Sequence, residues 1–135
     1  MLTLEQYFGR WMNHPDATPE RKANARVLLD MVNNLLARAL VCGVVPPENP
    51  HTECCVAGET FGGFRPQSCP QGAPHSSHKD GAGVDVFDPK NELDDWLTDE
   101  LLEEFGLYRE HPDSTKHWCH LTYRAPHSGH RTFLP

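Results

Sequence analysis

A chain of 135 residues favours one domain with its own core, and 38% apolar content argues against intrinsic disorder. No apolar run is long enough to cross a bilayer as a helix. Nineteen acidic against 12 basic residues give a net charge of −7, the wrong sign for neutralising nucleic-acid phosphates or docking on an anionic membrane. The opening MLTLEQYFGR lacks a basic segment followed by an apolar one, so no signal peptide is expected and the chain is expected to be cytoplasmic as synthesised. The five cysteines are then expected as free thiols.

Thr3-Leu4-Glu5-Gln6 is a capping box, and Leu4, Tyr7, Phe8, Trp11 and Met12 follow at helical spacing as a core stripe. Asn13-His14-Pro15 ends this short helix. Thr18-Pro19 supplies an N-cap and first helical residue for a second helix, about 35 Å long and ended by Cys42-Gly43. Its apolar face reads Ala23, Val27, Leu28, Met31, Leu35 and Ala39. From Val44 to His78 prolines and glycines break regularity, with short strands expected near Cys55–Ala57 and Thr60–Arg65. A segment this long in a small domain is expected to carry function. Gly83–Phe87 alternates as a strand, and Leu93, Trp96, Leu97, Leu101 and Phe105 mark a third helix closed by Gly106. Leu107–Glu110 and Trp118–Tyr123 read as two strands, and Ala125–Pro135 as an irregular tail. The expected fold class is α+β: a small antiparallel sheet with helices packed mainly on one face, built as a single domain over 1–135.

Nine histidines are many for this length, and they cluster towards the C-terminal half. His78 sits in a glycine-containing loop, Asp85 follows seven residues later on a strand, and His120 lies on a second strand. Imidazole and carboxylate both suit Zn²⁺, and three protein ligands leave a position open, as in catalytic zinc sites. Cys119 neighbours His120, but along a strand its side chain faces the other way. A structural zinc module built from Cys54, Cys55 and Cys69 is a weaker reading, because their spacing fits no ligand pattern.

Ser76-x-His78-x-x-Gly81-x-Gly83-x-Asp85 resembles the SxHxxGxAxD motif of the M15 zinc peptidases. These are D-alanyl-D-alanine carboxypeptidases and peptidoglycan-cleaving endolysins of the hedgehog/DD-peptidase fold. Trp118-Cys119-His120 is similar to the strand that supplies their last zinc ligand, and Gly63-Phe64-Arg65-Pro66 to a segment upstream of the motif. The N-terminal helix, Val32-Asn33, Glu110-His111-Pro112 and the tail Ser128–Pro135 resemble small phage and prophage members, so the likeness spans nearly the whole chain. It implies a zinc peptidase acting on peptidoglycan peptides, as a monomer, phage-encoded and released or carried on a virion. Zinc ligands carry over to His78, Asp85 and His120. Arg65 carries over as the partner of a substrate carboxylate or carbonyl, and Ser76 as a residue that holds the loop.

Two positions depart from the pattern. The family alanine is Gly83 here. Many members place a carboxylate three residues before the last histidine, where this chain has His117. The general base is then His117 itself or a carboxylate from elsewhere. Glu110 is the first choice, because antiparallel pairing of its strand would set it beside His120. The alternative implied by the missing carboxylate is a non-catalytic zinc-binding structural or virion protein.

Overall fold

The computed structural model describes residues 1–71 and 75–135. The capping box forms: Thr3 Oγ1 accepts from the Gln6 amide at 3.2 Å, and Gln6 Oε1 accepts from the Thr3 amide at 3.0 Å. Helix α1 (Leu4–Phe8) runs into a 3₁₀ turn at Gly9–Trp11. It buries Tyr7 and Phe8, while Leu4, Trp11 and Met12 pack partly buried against the core. Helix α2 (Pro19–Val41) is capped by Thr18, which accepts from the Arg21 amide at 3.2 Å.

The buried stripe of α2 is Ala25, Leu28, Leu29, Val32, Leu35 and Ala39, rotated from the expected face, and Val27 is left 45% exposed. Both series keep three-and-four spacing, so spacing alone does not choose between them; the observed face takes in Leu29 and Val32 and leaves Ala23 and Val27 outside the core. Helix α3 (Glu92–Trp96) and helix α4 (Asp99–Phe105) replace the single expected third helix. Leu97 is extended between them, and Thr98 caps α4 by accepting from the Leu101 amide at 3.2 Å. A threonine followed by two acidic residues is a better helix start than interior, so the break falls there.

Strands β1 (Gly83–Phe87), β2 (Tyr108–Glu110), β3 (Trp118–Thr122) and β4 (Thr132–Phe133) form one sheet in the order β1-β3-β2-β4. The β1–β3 and β3–β2 pairs are antiparallel, but β2 and β4 run parallel, so the sheet is mixed rather than antiparallel throughout. The fourth strand comes from the tail that showed no periodicity; two residues are too few to display one. The expected strands between Cys55 and Arg65 reduce to one bridge, Val56 to Val86. This loop still holds the free edge of β1: the Ala57 amide donates to Asp85 O at 2.8 Å, and the Asp85 amide to Gly62 O at 2.7 Å.

One face of β1–β3 carries Val84, Val86, Cys119 and Leu121, each fully buried in the core that also holds the α2 stripe. The opposite face carries Gly83, Asp85, His120 and Thr122. Arg109 fastens the late elements together. It donates to Asp94 O of α3 at 2.7 Å and to Thr132 Oγ1 of β4 at 3.0 Å, and Thr132 Oγ1 donates to Asp99 of α4 at 2.7 Å. Among the described residues, all five cysteines are free thiols, and no helix is long and apolar enough to cross a membrane.

Candidate metal centre

Antiparallel register sets Asp85 of β1 directly opposite His120 of β3. His78 enters from a 3₁₀ turn (Ser77–Asp80), where Ser76 Oγ accepts from the His78 amide at 3.3 Å. Asp85 Oδ1 lies 3.2 Å from His78 Nε2 and 2.8 Å from His120 Nδ1, and one ligand atom from each residue lies within 4.8 Å of the others. All three side chains are buried. Among the described residues this is the one such grouping of metal-ligating side chains; Cys54, Cys55 and Cys69 form none.

The nitrogens facing away from the cluster also have partners. His78 Nδ1 is 2.8 Å from Gly63 O. A carbonyl only accepts, so Nδ1 carries the proton and the Nε2 lone pair faces the cluster. A Cβ on Gly63 would lie 2.0 Å from Tyr7 O, so glycine is required for the backbone to approach here. Tyr7 O accepts from the Phe64 amide at 3.2 Å, and the Tyr7 hydroxyl donates to Gly83 O at 2.8 Å. Helix α1 thereby holds both backbone segments that flank the centre. His120 Nε2 is 3.4 Å from Ser77 Oγ. A metal-binding imidazole is usually fixed through its second nitrogen in this way.

Burial raises the cost of ionising Asp85, but its interactions with the His78 and His120 imidazoles outweigh it, and the carboxyl sits well below the usual range. Burial pushes His78 the other way, below its ordinary value, against the pull of Asp85. An ionised carboxylate beside a neutral imidazole is the protonation state a divalent cation needs. The chemistry of this buried donor set fits a metal ion.

The cluster lines a cleft of about 450 Å³ that also exposes Glu110 and Arg65. The β2–β3 register, Arg109 opposite Leu121, places Glu110 level with His120 one step along. Burial raises the Glu110 carboxyl above its ordinary value, with His120 opposing. Arg65 Nη2 reaches Asp85 Oδ2 at 3.3 Å and its Nε donates to Phe61 O at 2.8 Å. His117 is not brought to this site. It is exposed, has φ +81°, and its Nδ1 lies 3.1 Å from Pro89 O. Cys119 is buried on the opposite face, against Asp94.

No protein-family profile, curated protein or solved structure matches the chain. The resemblance to zinc peptidases therefore rests on the motif residues alone.

Sequence reasoning missed Ser77, the Gly63 carbonyl and Phe133. Ser77 is an unspecified position inside the motif, and a backbone carbonyl leaves no sequence signal. Phe133 meets the His120 ring edge to face at 6.3 Å and walls the cleft, but only the parallel β2–β4 pairing brings it there.

Proposed function

We propose that the chain is a zinc-dependent peptidase of the hedgehog/DD-peptidase type that hydrolyses peptide bonds of peptidoglycan, as a D-Ala-D-Ala carboxypeptidase or an endolysin-type endopeptidase. The observation that carries this reading is the convergence of His78 Nε2, Asp85 and His120 Nδ1 in one buried cluster beside Glu110 and Arg65. The acidic surface suits this role better than nucleic-acid binding.

Zinc held by His78, Asp85 and His120 would supply Lewis acidity at the scissile carbonyl and lower the pKa of water. Glu110 takes the proton of the attacking water and returns it to the leaving amine. Its raised pKa brings it nearer to neutral pH, where a group that must both accept and donate works best. Arg65 orients the substrate from the wall of the cleft, and its Nη2 contact keeps Asp85 aimed at the cluster. Phe133 and Pro135 form an apolar wall against which the peptide lies.

One observation favours a second reading, a zinc-binding structural or virion protein without catalysis: the position three residues before His120 holds an imidazole turned out to Pro89. Incubation of zinc-loaded protein with purified muropeptides separates the two. Release of D-alanine or cleavage of cross-links, abolished by a chelator and restored by zinc, is the expected result. Full zinc occupancy with no product from any muropeptide establishes the second reading.

A further inference from the structure

The family alanine is replaced by Gly83, and this substitution has a local counterpart. A Cβ built on Gly83 would lie 2.2 Å from Ser77 Oγ and 3.2 Å from His120 Cε1. Ser77 therefore occupies the space that an alanine methyl would need. From that space its Oγ lies 3.4 Å from His120 Nε2, the ring nitrogen facing away from Asp85. Ser77 itself is only 9% exposed and is held by the turn that presents His78, whose backbone carbonyl accepts from the Arg65 amide at 3.2 Å.

Resting on the metal-centre reading above, we propose that Ser77 is a positioning residue for His120, made possible by Gly83. With a metal at Nδ1 the ring proton sits on Nε2 and is donated to the Ser77 hydroxyl; in the metal-free protein Nδ1–H donates to Asp85 Oδ1 at 2.8 Å and the hydroxyl donates to Nε2, so Ser77 holds the ring in both states. Gly83 and Ser77 then act as one unit: glycine opens the space and serine fills it with a hydroxyl.

The same atoms also trace a Ser77–His120–Asp85 relay of the kind that activates a nucleophilic serine. His78 argues against that use. Its Nε2 meets the same Asp85 oxygen at 3.2 Å, a contact with no part in such a relay and a direct part in a metal site.

The test uses the full chain and its Ser77→Ala, Gly83→Ala and Ser77→Ala/Gly83→Ala variants. Ser77→Ala is expected to weaken Zn²⁺ affinity by ~10–100-fold, the range for losing an outer hydrogen bond to a ligand. The visible spectrum of the Co²⁺-substituted protein should shift with it. Gly83→Ala should produce the same affinity loss by expelling the hydroxyl, and the two losses should not add in the double variant. In metal-free protein, ¹⁵N shifts of the His120 ring should move on Ser77→Ala while those of His78 stay. Wild-type affinity and cobalt spectrum in Ser77→Ala overturn the proposal, as do unmoved His120 ring shifts. Additive losses show that the two residues act separately and overturn the coupling. Loss of hydrolysis in Ser77→Ala with metal affinity intact makes Ser77 a chemical participant and overturns its positioning role. If the wild type binds no metal at all, the metal-centre reading fails, and the ring shifts still decide whether Ser77 sets His120.

Discussion

Two buried aspartates lie on opposite sides of the same strand pair, and each has an arginine nitrogen at 3.3 Å: Arg65 for Asp85 and Arg109 for Asp94. Their ionisation nevertheless diverges. Asp85 is held below the ordinary carboxylate range, whereas burial pushes Asp94 above it. An arginine at that distance therefore does not decide the outcome. Asp85 gains two imidazoles, while Asp94 has a buried thiol, Cys119, and one oxygen, Oδ2, with no hydrogen-bond partner among the described residues. Asp94 serves packing: through its carbonyl, its carboxylate and Arg109 it joins α3 to the sheet. Asp85 is supplied with donors that a cation can replace.

The largest expected effect breaks this contrast directly. Asp85→Ala should cost more Zn²⁺ affinity than the ~100-fold upper range of an outer-shell change, and hydrolysis should vanish with the metal. Asp94→Asn should retain one zinc per chain by elemental analysis. Equal retention in both variants would show that the two aspartates are interchangeable and that the cluster is not a metal centre.

Glu110→Gln sharpens the catalytic side. Turnover of muropeptides should fall ~10²–10⁴-fold while zinc stays bound, because only the proton acceptor is lost. His117→Ala should cost less, since its ring points to Pro89 O. The reverse ranking would return the base to the position three residues before His120.

On the packing face, Leu121→Ala should destabilise by about 2–5 kcal/mol in denaturant titrations, the usual range for emptying a buried leucine site. Leu121 is fully buried one residue from His120, so zinc affinity of the folded protein should change little in comparison. A selective loss of zinc affinity without lost stability would mean that the two faces are not separate in function.

The smallest effect is in pH dependence of the metal-free protein, and the two aspartates should have opposite signs. Asp85 has a lowered folded pKa, so its contribution is present above the ordinary carboxylate value of about 3.9 and is lost as pH falls below it. Asp94 has a raised folded pKa, so its contribution is present below about 3.9 and is lost as pH rises above it. Relative to wild type, Asp94→Asn should gain stability as pH rises from about 4, and Asp85→Asn should gain as pH falls below about 4. Slopes of the same sign would refute the divergence.

Much of this architecture is legible in short segments whose chemistry is local. The Thr3–Gln6 box, the Thr18-Pro19 start and the alternation of Gly83–Phe87 each satisfy their own backbone groups or face, and each formed where expected. His78, Asp85 and His120 were legible as a set because a loop, a strand and a second strand are all short-range features. What escaped depends on partners distant in sequence. Val27 sits on the wrong side of α2 only because the core is met along Leu29 and Val32. Residues 132–133 become a strand only because Arg109 lies alongside. Ser77 meets the His120 ring only across a separation of 43 residues.

The Tyr7 hydroxyl bond to Gly83 O spans 76 residues, and that span has a consequence for the order of assembly. During synthesis α1 emerges well before the strand that it braces, which arrives 76 residues later, and His120 follows Asp85 by a further 35. His78 and Asp85 are only seven residues apart and can meet before His120 exists. Loop closure over such separations is slow compared with local pairing. The third member of the cluster and the brace from α1 thus come last, so a cation that needs all three side chains could be held only once the fold is complete.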